Sequence, residues 1–432
     1  MTITNKRYQQ GTRMLERAER IIPLGAQTFS RSRVQFPVGH APMFLESGAG
    51  GRVWDLDGNE YIDLICGLLS VILGYRDPDV DRAICQQLEK GISFSMATAL
   101  EVELAERLTR IIPCAEMVRF GKNGSDVTTA AVRLARAVTG RKRIAASGYH
   151  GWHDWYIGAT NRNLGVPPEV ATLTHKFPYN DIEALDQLFR SHPEEFAAVI
   201  MEPMNTVEPY DGYMEEVQAL AKENGALFIL DEIITGFRFA MGGAQQLFGV
   251  TPDLATFGKS MGNGMPIAAL VGKVEYMRSF EDIFFSTTFG GETLSLAAAI
   301  AVIDKIEREP VIDNIWHKGA RLADTVQAQI NGCGLSDVIT IAGRPCWKIL
   351  QFHDHPAADR NVIKTFFLTS MIAEGVLINA SHNLCYAHSK ADLLRVEKAY
   401  SVTLERLSEC LKKGNLVEVL DAPVVRPVFA VR

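Results

Sequence analysis

Long amphipathic stretches alternate with short apolar runs along this chain, and glycine or proline marks nearly every change between them. Near the N-terminus, Met14, Leu15, Ala18 and Ile21–Ile22 fall on one face of a helix. The segment FLESGAGGRVWDLDGNEYIDL then alternates apolar and polar positions around Asp57-Gly58, a hairpin signal, so residues 39–63 read as short strands. From about residue 98 the pattern becomes α/β. A helical stretch over Leu100–Ile112 leads to MVRFGKNGSD, a strand running into a turn, and then to the helical DVTTAAVRLARAVTG, closed by Gly140 and followed by the strand RIAAS. Ala197–Pro203 and Gly225–Glu232 are continuous apolar runs, as expected for parallel strands covered on both faces. The helical MEEVQALAKEN between them makes a β-α-β crossover and predicts a doubly wound, mostly parallel sheet. Such sheets bind ligands beyond the carboxyl ends of their strands. The last third returns to mixed elements: strands in VITIAGRPCWKILQF, a helix over Ile363–Gly375 and a final helix over Ala391–Lys412. The change near residue 310 divides the chain into a large domain over 64–310 and a smaller α+β domain from 1–63 and 311–432.

Composition narrows the class without naming it. The 432 residues carry 44 Lys+Arg against 51 Asp+Glu, a formal net charge of −7, with 47% hydrophobic and 22% charged residues. These are ordinary globular proportions. Mild acidity without a run of Lys/Arg argues against nucleic acid as a partner. The seven cysteines are an odd number with no C-x-x-C spacing, which suggests reduced thiols rather than a disulfide framework. The longest apolar stretch, around Leu294–Ile303, falls short of the ~18 residues a membrane span needs. The polar N-terminus lacks the apolar core of a signal peptide. A soluble, cytoplasmic protein is the expectation.

The chemistry concentrates in LDEIITGFRFAMGGAQQLFGVTPDLATFGKSMGNGMP. Asp231 ends an apolar strand, at the mouth of the sheet. Lys259 stands between Gly258 and Ser260 in a glycine-rich turn, where small neighbours let a large molecule reach its ammonium group. Desolvation there lowers a lysine's pKa and makes it a nucleophile toward carbonyls. GKNGSD opens a helix whose N–H groups form an anion site, although Ser125 or Asp126 could equally be its N-cap. Neither G-x-G-x-x-G nor G-x-x-x-x-G-K-[ST] is present. GYHGWHDWY sets aromatics after a strand, either as core or as a platform for a ring. His150 and His153 lack the companion ligands of a metal site, and His353-Asp354-His355 reads as a polar turn, so no metal is assigned. A phosphate for the helix start, a flat ring for the aromatics, a carbonyl for Lys259 and a ring nitrogen for Asp231 together describe pyridoxal 5′-phosphate.

RVWDLDGNEYIDL, NGSDVTTAAVRLARAVTGR, YHGWHD, LDEIITGFR, PDLATFGKSMGNGMP and STTFGG, in that order, resemble the class III aminotransferases of fold type I, in particular their glutamate-1-semialdehyde aminomutase branch. The resemblance implies a fold type I PLP-dependent transferase in which Lys259 is the Schiff-base lysine, Asp231 the partner of the pyridine nitrogen and Tyr149 the third catalytic residue. Tyr149 would stack on one face of the ring and Ile233 on the other. Gly124 and Ser125 would hold the phosphate, His150 would join the cofactor-binding set, and Glu202 would support the ring. Thr288 would reach the phosphate of a neighbouring subunit, implying a homodimer with its active site at the subunit interface.

Departures from the mutase pattern bear on the substrate. Asn123-Gly124-Ser125-Asp126-Val127 stands where the mutases carry S-G-T-E-A, Asn379-Ala380-Ser381-His382-Asn383 has no acid, and Gly290-Gly291-Glu292-Thr293 replaces S-G-N-P. Arg31 falls near the arginine that holds the mutase substrate's carboxylate, with Arg33 competing for that alignment. Glu292, His382 and Asn383 suit hydroxyl groups. The preferred reading is therefore transfer from a donor such as glutamate to the carbonyl of a sugar or sugar acid, for example the terminal aldehyde of an octulosonate-type acid, with glutamate-1-semialdehyde 2,1-aminomutase as the alternative.

Overall fold

The computed structural model describes residues 6–204 and 206–426, and the chain divides into two compact units. Among the described residues the first takes in 6–68, 72–77 and 313–426; the second takes in 69–71 and 78–312.

The second unit is built on a seven-stranded sheet: β1 (Met117–Gly121), β2 (Arg143–Ser147), β3 (Thr174–Lys176), β4 (Phe196–Met201), β5 (Leu227–Asp231), β6 (Leu254–Phe257) and β7 (Ala268–Gly272). Their spatial order is β1-β7-β6-β5-β4-β2-β3. All pairs are parallel except the two made by β7. Every residue of β4 and β5 is buried, which explains their unbroken apolar sequence. Against this sheet packs α1 (Gly124–Thr139), through Val127, Ala130, Ala131, Leu134 and Ala135. Asn123 and Asp126 close a capping box at its start, and Gly140, at φ +69°, ends it. The apolar stretch around 294–303 is the helix α2 (Thr293–Arg308), buried on most of its surface rather than on one stripe.

In the first unit the expected hairpin forms between Arg52–Asp55 and Glu60–Asp63. Asp55 accepts from the N–H groups of Asp57 and Asn59 to hold the turn, and Asp57 in turn accepts from the N–H groups of Gln10 and Gly11, capping the helix Gln9–Ala18. Val376–Leu377 adds parallel to Glu60–Asp63. A second hairpin pairs Ile339–Ala342 with Lys348–Phe352, and Ser381–His382 joins its edge. The helices Val311–Gly332, Arg360–Ala373 and Lys390–Lys413 are long; Leu322, Phe367 and Tyr400 enter one core with Ile62 and Val376.

One segment breaks the rules of regular structure. Cys66, Gly67, Leu68 and Leu69 follow one another at φ +46°, +60°, +63° and +73°. A left-handed turn costs a non-glycine residue about 1–2 kcal/mol, so Cys66, Leu68 and Leu69 are held there by their surroundings. The Asn383 amide donates to the Ile65 carbonyl, and Ser260 Oγ and Arg238 Nη2 donate to that of Leu69.

Candidate active site

The ends of β2, β4, β5 and β6 and the start of α1 bring the predicted cofactor residues of the second unit together, apart from Thr288. Asp231, the last residue of β5, is buried. Its Oδ2 lies 2.8 Å from His150 Nδ1, and its Oδ1 accepts from the Ile233 N–H at 3.2 Å and from Thr256 Oγ1 at 3.3 Å. The other His150 nitrogen lies 3.2 Å from the Ser147 carbonyl, and the ring packs beside Trp155 and Tyr156. His150 is therefore the residue that orients Asp231, which its place in the predicted cofactor-binding set did not specify. His153 is engaged elsewhere: its Nδ1 lies 2.8 Å from Thr129 Oγ1.

Lys259 begins the turn that leaves β6 through Gly258 and has φ +41°, a left-handed conformation rare for a residue with a side chain. Its neighbour Ser260 is buried and donates to the Leu69 carbonyl at 3.2 Å, anchoring the turn that carries the amine. Lys259 itself is half-buried.

Three glycines stand where a side chain would press on the predicted cofactor residues. A Cβ on Gly124 would lie 3.2 Å from the Ile233 side chain, and one on Gly258 would lie 3.1 Å from the same residue. A Cβ on Gly151 would come within 2.3 Å of Ser125 Oγ. The N-cap of α1 is Asn123, not Ser125 or Asp126. Ser125 is thus not spent on capping, and its Oγ accepts only a 3.3 Å bond from the Trp152 N–H among the hydrogen bonds described. The start of a 16-residue helix carrying a buried hydroxyl suits a phosphate.

Tyr149 is half-buried, edge-on to Tyr156 at 5.7 Å between ring centres. Its N–H donates to Glu202 Oε2 at 3.0 Å. Gly148, at φ +105°, lets Glu202 come so near that a Cβ would lie 2.6 Å from the carboxylate. Thr288 is exposed, on a segment held by donors from Arg119 to the Phe285 carbonyl and from Arg133 to the Phe284 carbonyl.

Sequence reasoning passed over Glu232. It is fully buried, and burial raises its pKa against the bonds from Thr235, the Gln245 and Ala244 N–H groups and the Gln245 amide. It ties the start of Ala244–Phe248 to the end of β5. Only its place beside Asp231 at a strand end signals this.

The substrate candidates are more dispersed. Glu292 is the N-cap of α2: it accepts from the Leu294 N–H at 2.7 Å and from Ser295 Oγ at 2.6 Å, and pairs with Lys122 at 3.0 Å. Arg31, His382 and Asn383 belong to the first unit. Arg31 is exposed and donates to the Gly67 carbonyl at 3.4 Å, while Arg33 pairs with Glu19. His382 is buried with Nε2 2.6 Å from the Tyr400 hydroxyl, and burial beside Lys348 pushes it down to about 3. Asn383 Oδ1 is buried without a hydrogen-bond partner.

A lysine on a turn beyond a parallel sheet, with a carboxylate on a neighbouring strand end and a glycine-lined helix start, defines a pyridoxal-phosphate enzyme of fold type I, and pyridoxal 5′-phosphate is its cofactor. Residues 35–415 match Aminotransferase class-III, and the chain belongs to that family of transaminases. It is 38% identical over 408 residues, 92% of its length and 97% of the relative's, to 3-aminobutyryl-CoA aminotransferase of Cloacimonas acidaminovorans (strain Evry). It is also 35% identical, over 93% of its length and 99% of the relative's, to glutamate-1-semialdehyde 2,1-aminomutase of Alkaliphilus oremlandii (strain OhILAs). The FumI protein of Sphingopyxis sp. MTA144, solved in its PLP internal aldimine form, superimposes with a TM-score of 0.87 at 28% identity, over 94% of this chain and 98% of that one. Among the described residues no helix is long and apolar enough to cross a membrane.

Proposed function

We propose that this aminotransferase moves an amino group between a donor such as glutamate and the carbonyl at carbon 3 of an acyl thioester or similar 3-oxo acid. The similarity to 3-aminobutyryl-CoA aminotransferase supports this acceptor class. The occupied side chains of Glu292 and His382 weigh against polyhydroxylated acceptors, because hydroxyl recognition would have to break a helix cap in one case and a buried ring–phenol bond in the other.

The observation that carries the chemistry is the Lys259 turn beside Asp231. When bound, the cofactor supplies the electron sink for breaking the bond to hydrogen at the amine-bearing carbon. Lys259 would hold the cofactor through its ε-amine and, when its amine is free, would move the proton at that carbon. Asp231, kept in place by His150 and the Ile233 N–H, would present its carboxylate to the ring nitrogen. Ile233 and Tyr149 would hold the ring and Gly124 and Ser125 the phosphate, while Glu202 accepts from the Tyr149 N–H.

The active unit is a homodimer in this reading. Ile92, Phe94, Met96, Phe284 and Phe289 are all exposed, Met96 by 82% and Phe284 by 79%. The two segments that carry them are joined by bonds from Thr293 to the carbonyls of Gly91 and Ile92. An apolar surface of this kind, next to Thr288, suits a second copy whose phosphate site Thr288 completes. Such an enzyme works in the cytoplasm.

A sugar or sugar acid is the second reading. Nitrogen-15 glutamate offered with acetoacetyl-CoA, with a panel of oxo-sugars and sugar-acid aldehydes, and separately glutamate 1-semialdehyde alone, decides among them. Label in a 3-aminoacyl product supports the thioester reading, and label only in an amino sugar replaces it with the second. Turnover of the semialdehyde without a donor makes the chain an aminomutase.

A further inference from the structure

A second set of chemically reactive side chains lies wholly within the first unit. Cys66, Cys385 and His388 are each completely buried, and one ligand atom from each lies within 4.8 Å of the others. The two sulfurs come from distant parts of the chain. Cys66 begins the left-handed turn after Glu60–Asp63, whereas Cys385 and His388 stand in a C-x-x-H spacing after Ser381–His382.

The imidazole is oriented for ligation. His388 Nε2 lies 3.1 Å from the Asp63 carbonyl, so it carries the proton and donates it there. That leaves the Nδ1 lone pair directed at Cys385, 3.0 Å from its N–H and 3.5 Å from its Sγ. A backbone carbonyl holding the far nitrogen is the usual outer support of a metal-bound histidine. Gly51 packs against the ring so closely that a Cβ would lie 2.4 Å from it, which fixes the ring plane. Cys66 Sγ rests 3.2 Å from the same Asp63 carbonyl. The Asp63 carboxylate is itself occupied by the Tyr75 hydroxyl at 2.6 Å and the Ile65 N–H at 2.7 Å, and so does not compete for the site.

We propose that Cys66, Cys385 and His388 bind a thiophilic d10 cation, zinc(II) or copper(I). Two thiols and an imidazole are the ligands that select such ions. Each thiol loses its proton as its sulfur–metal bond forms, at about 2.3 Å for zinc, and His388 contributes its Nδ1 lone pair, releasing Cys385 N–H. Two thiolates neutralise a zinc ion, removing the cost of burying charge in a closed core. The ion's work is structural: it ties Cys66, the first residue of the strained turn, to the 385–388 segment. It takes no part in the chemistry at Lys259.

Reduced, chelator-treated holoenzyme is equilibrated with zinc(II) and, without oxygen, with copper(I), freed of excess by gel filtration and analysed for metal. One equivalent per chain of either ion is expected, with a higher melting temperature and a metal-edge X-ray absorption spectrum showing two sulfurs and one nitrogen. Zinc retention marks a four-coordinate site completed by water, and copper retention a three-coordinate one. Cys66→Ser and Cys385→Ser should each weaken binding by about tenfold or more. Failure to retain either ion, a shell of nitrogen and oxygen alone, or retention unchanged in both variants overturns the site. So does a Cys66–Cys385 disulfide formed in air by protein that, once reduced, takes up no metal. The absorption spectrum of wild-type protein decides the matter even where a serine variant does not fold.

Discussion

Around Lys259 the residue types were legible in the sequence, but their partners were not. A lysine among glycines and an aspartate closing an apolar run announce themselves in one dimension. The partnership of Asp231 with His150, 81 positions apart, does not, because only the adjacency of strand ends creates it. Lys259→Ala should abolish covalent attachment of the cofactor, read from its visible absorbance, and cut turnover by at least about 10²–10⁴-fold while the far-ultraviolet spectrum is unchanged. An active, coloured variant would place the nucleophile elsewhere. Asp231→Ala leaves the buried His150 nitrogen without its partner and should cost about 1–3 kcal/mol in denaturant unfolding. His150→Ala combined with it should cost less than the sum of the single changes by about 0.5–3 kcal/mol. Additive losses would show that the two side chains act independently.

Among elements, α1 and α2 are joined at their starts. Glu292 caps α2 and pairs with Lys122, which immediately precedes the capping box of α1. Burial raises the Glu292 pKa, but the Ser295 hydroxyl, Lys122 and the Leu294 N–H outweigh it and hold the group below the usual carboxylate value. The charged form is favoured in the folded state, so its stabilisation is complete above the unfolded value of about 4.3 and is lost as pH falls through the lower folded value. Glu292→Ala should cost about 1 kcal/mol or somewhat more at neutral pH from the cap alone. Glu292→Gln should flatten the acid limb of the melting curve, and an unchanged limb would remove the carboxylate from the account. Helix caps of this kind are readable only when the helix start is known, and from the sequence alone Glu292 reads as a substrate residue. The antiparallel β7 and the helix Val311–Gly332 were likewise absent from the sequence reading. A buried four- or five-residue apolar run looks the same in either strand direction, since direction is decided by the crossover and not by the run.

For the molecule as a whole, acid stability and assembly can be measured directly. Burial, reinforced by Lys348, holds His382 down at about 3, so the folded protein keeps it neutral. The unfolded imidazole titrates near ~6.5. Its contribution is therefore whole above about pH 6.5 and falls as pH drops toward the folded value. His382→Gln should reduce the slope of melting temperature against pH between those limits, and an identical slope would mean that other groups dominate. Sedimentation should show a particle of two chains, and Met96→Glu, on the exposed apolar surface, should dissociate it; a wild-type monomer would withdraw the dimer. The order of apolar runs, glycine turns and a lysine between small residues pointed by themselves to an α/β sheet built for pyridoxal phosphate, because backbone burial and nucleophilic chemistry each demand particular residue types at local spacings; the transferase class came from the resemblance of the motifs. Which side chains remain available to a substrate was decided only in three dimensions. Glu292 and His382 satisfy hydrogen bonds that folding would otherwise leave broken, and Cys66 meets His388 only because the chain returns to it more than three hundred residues later.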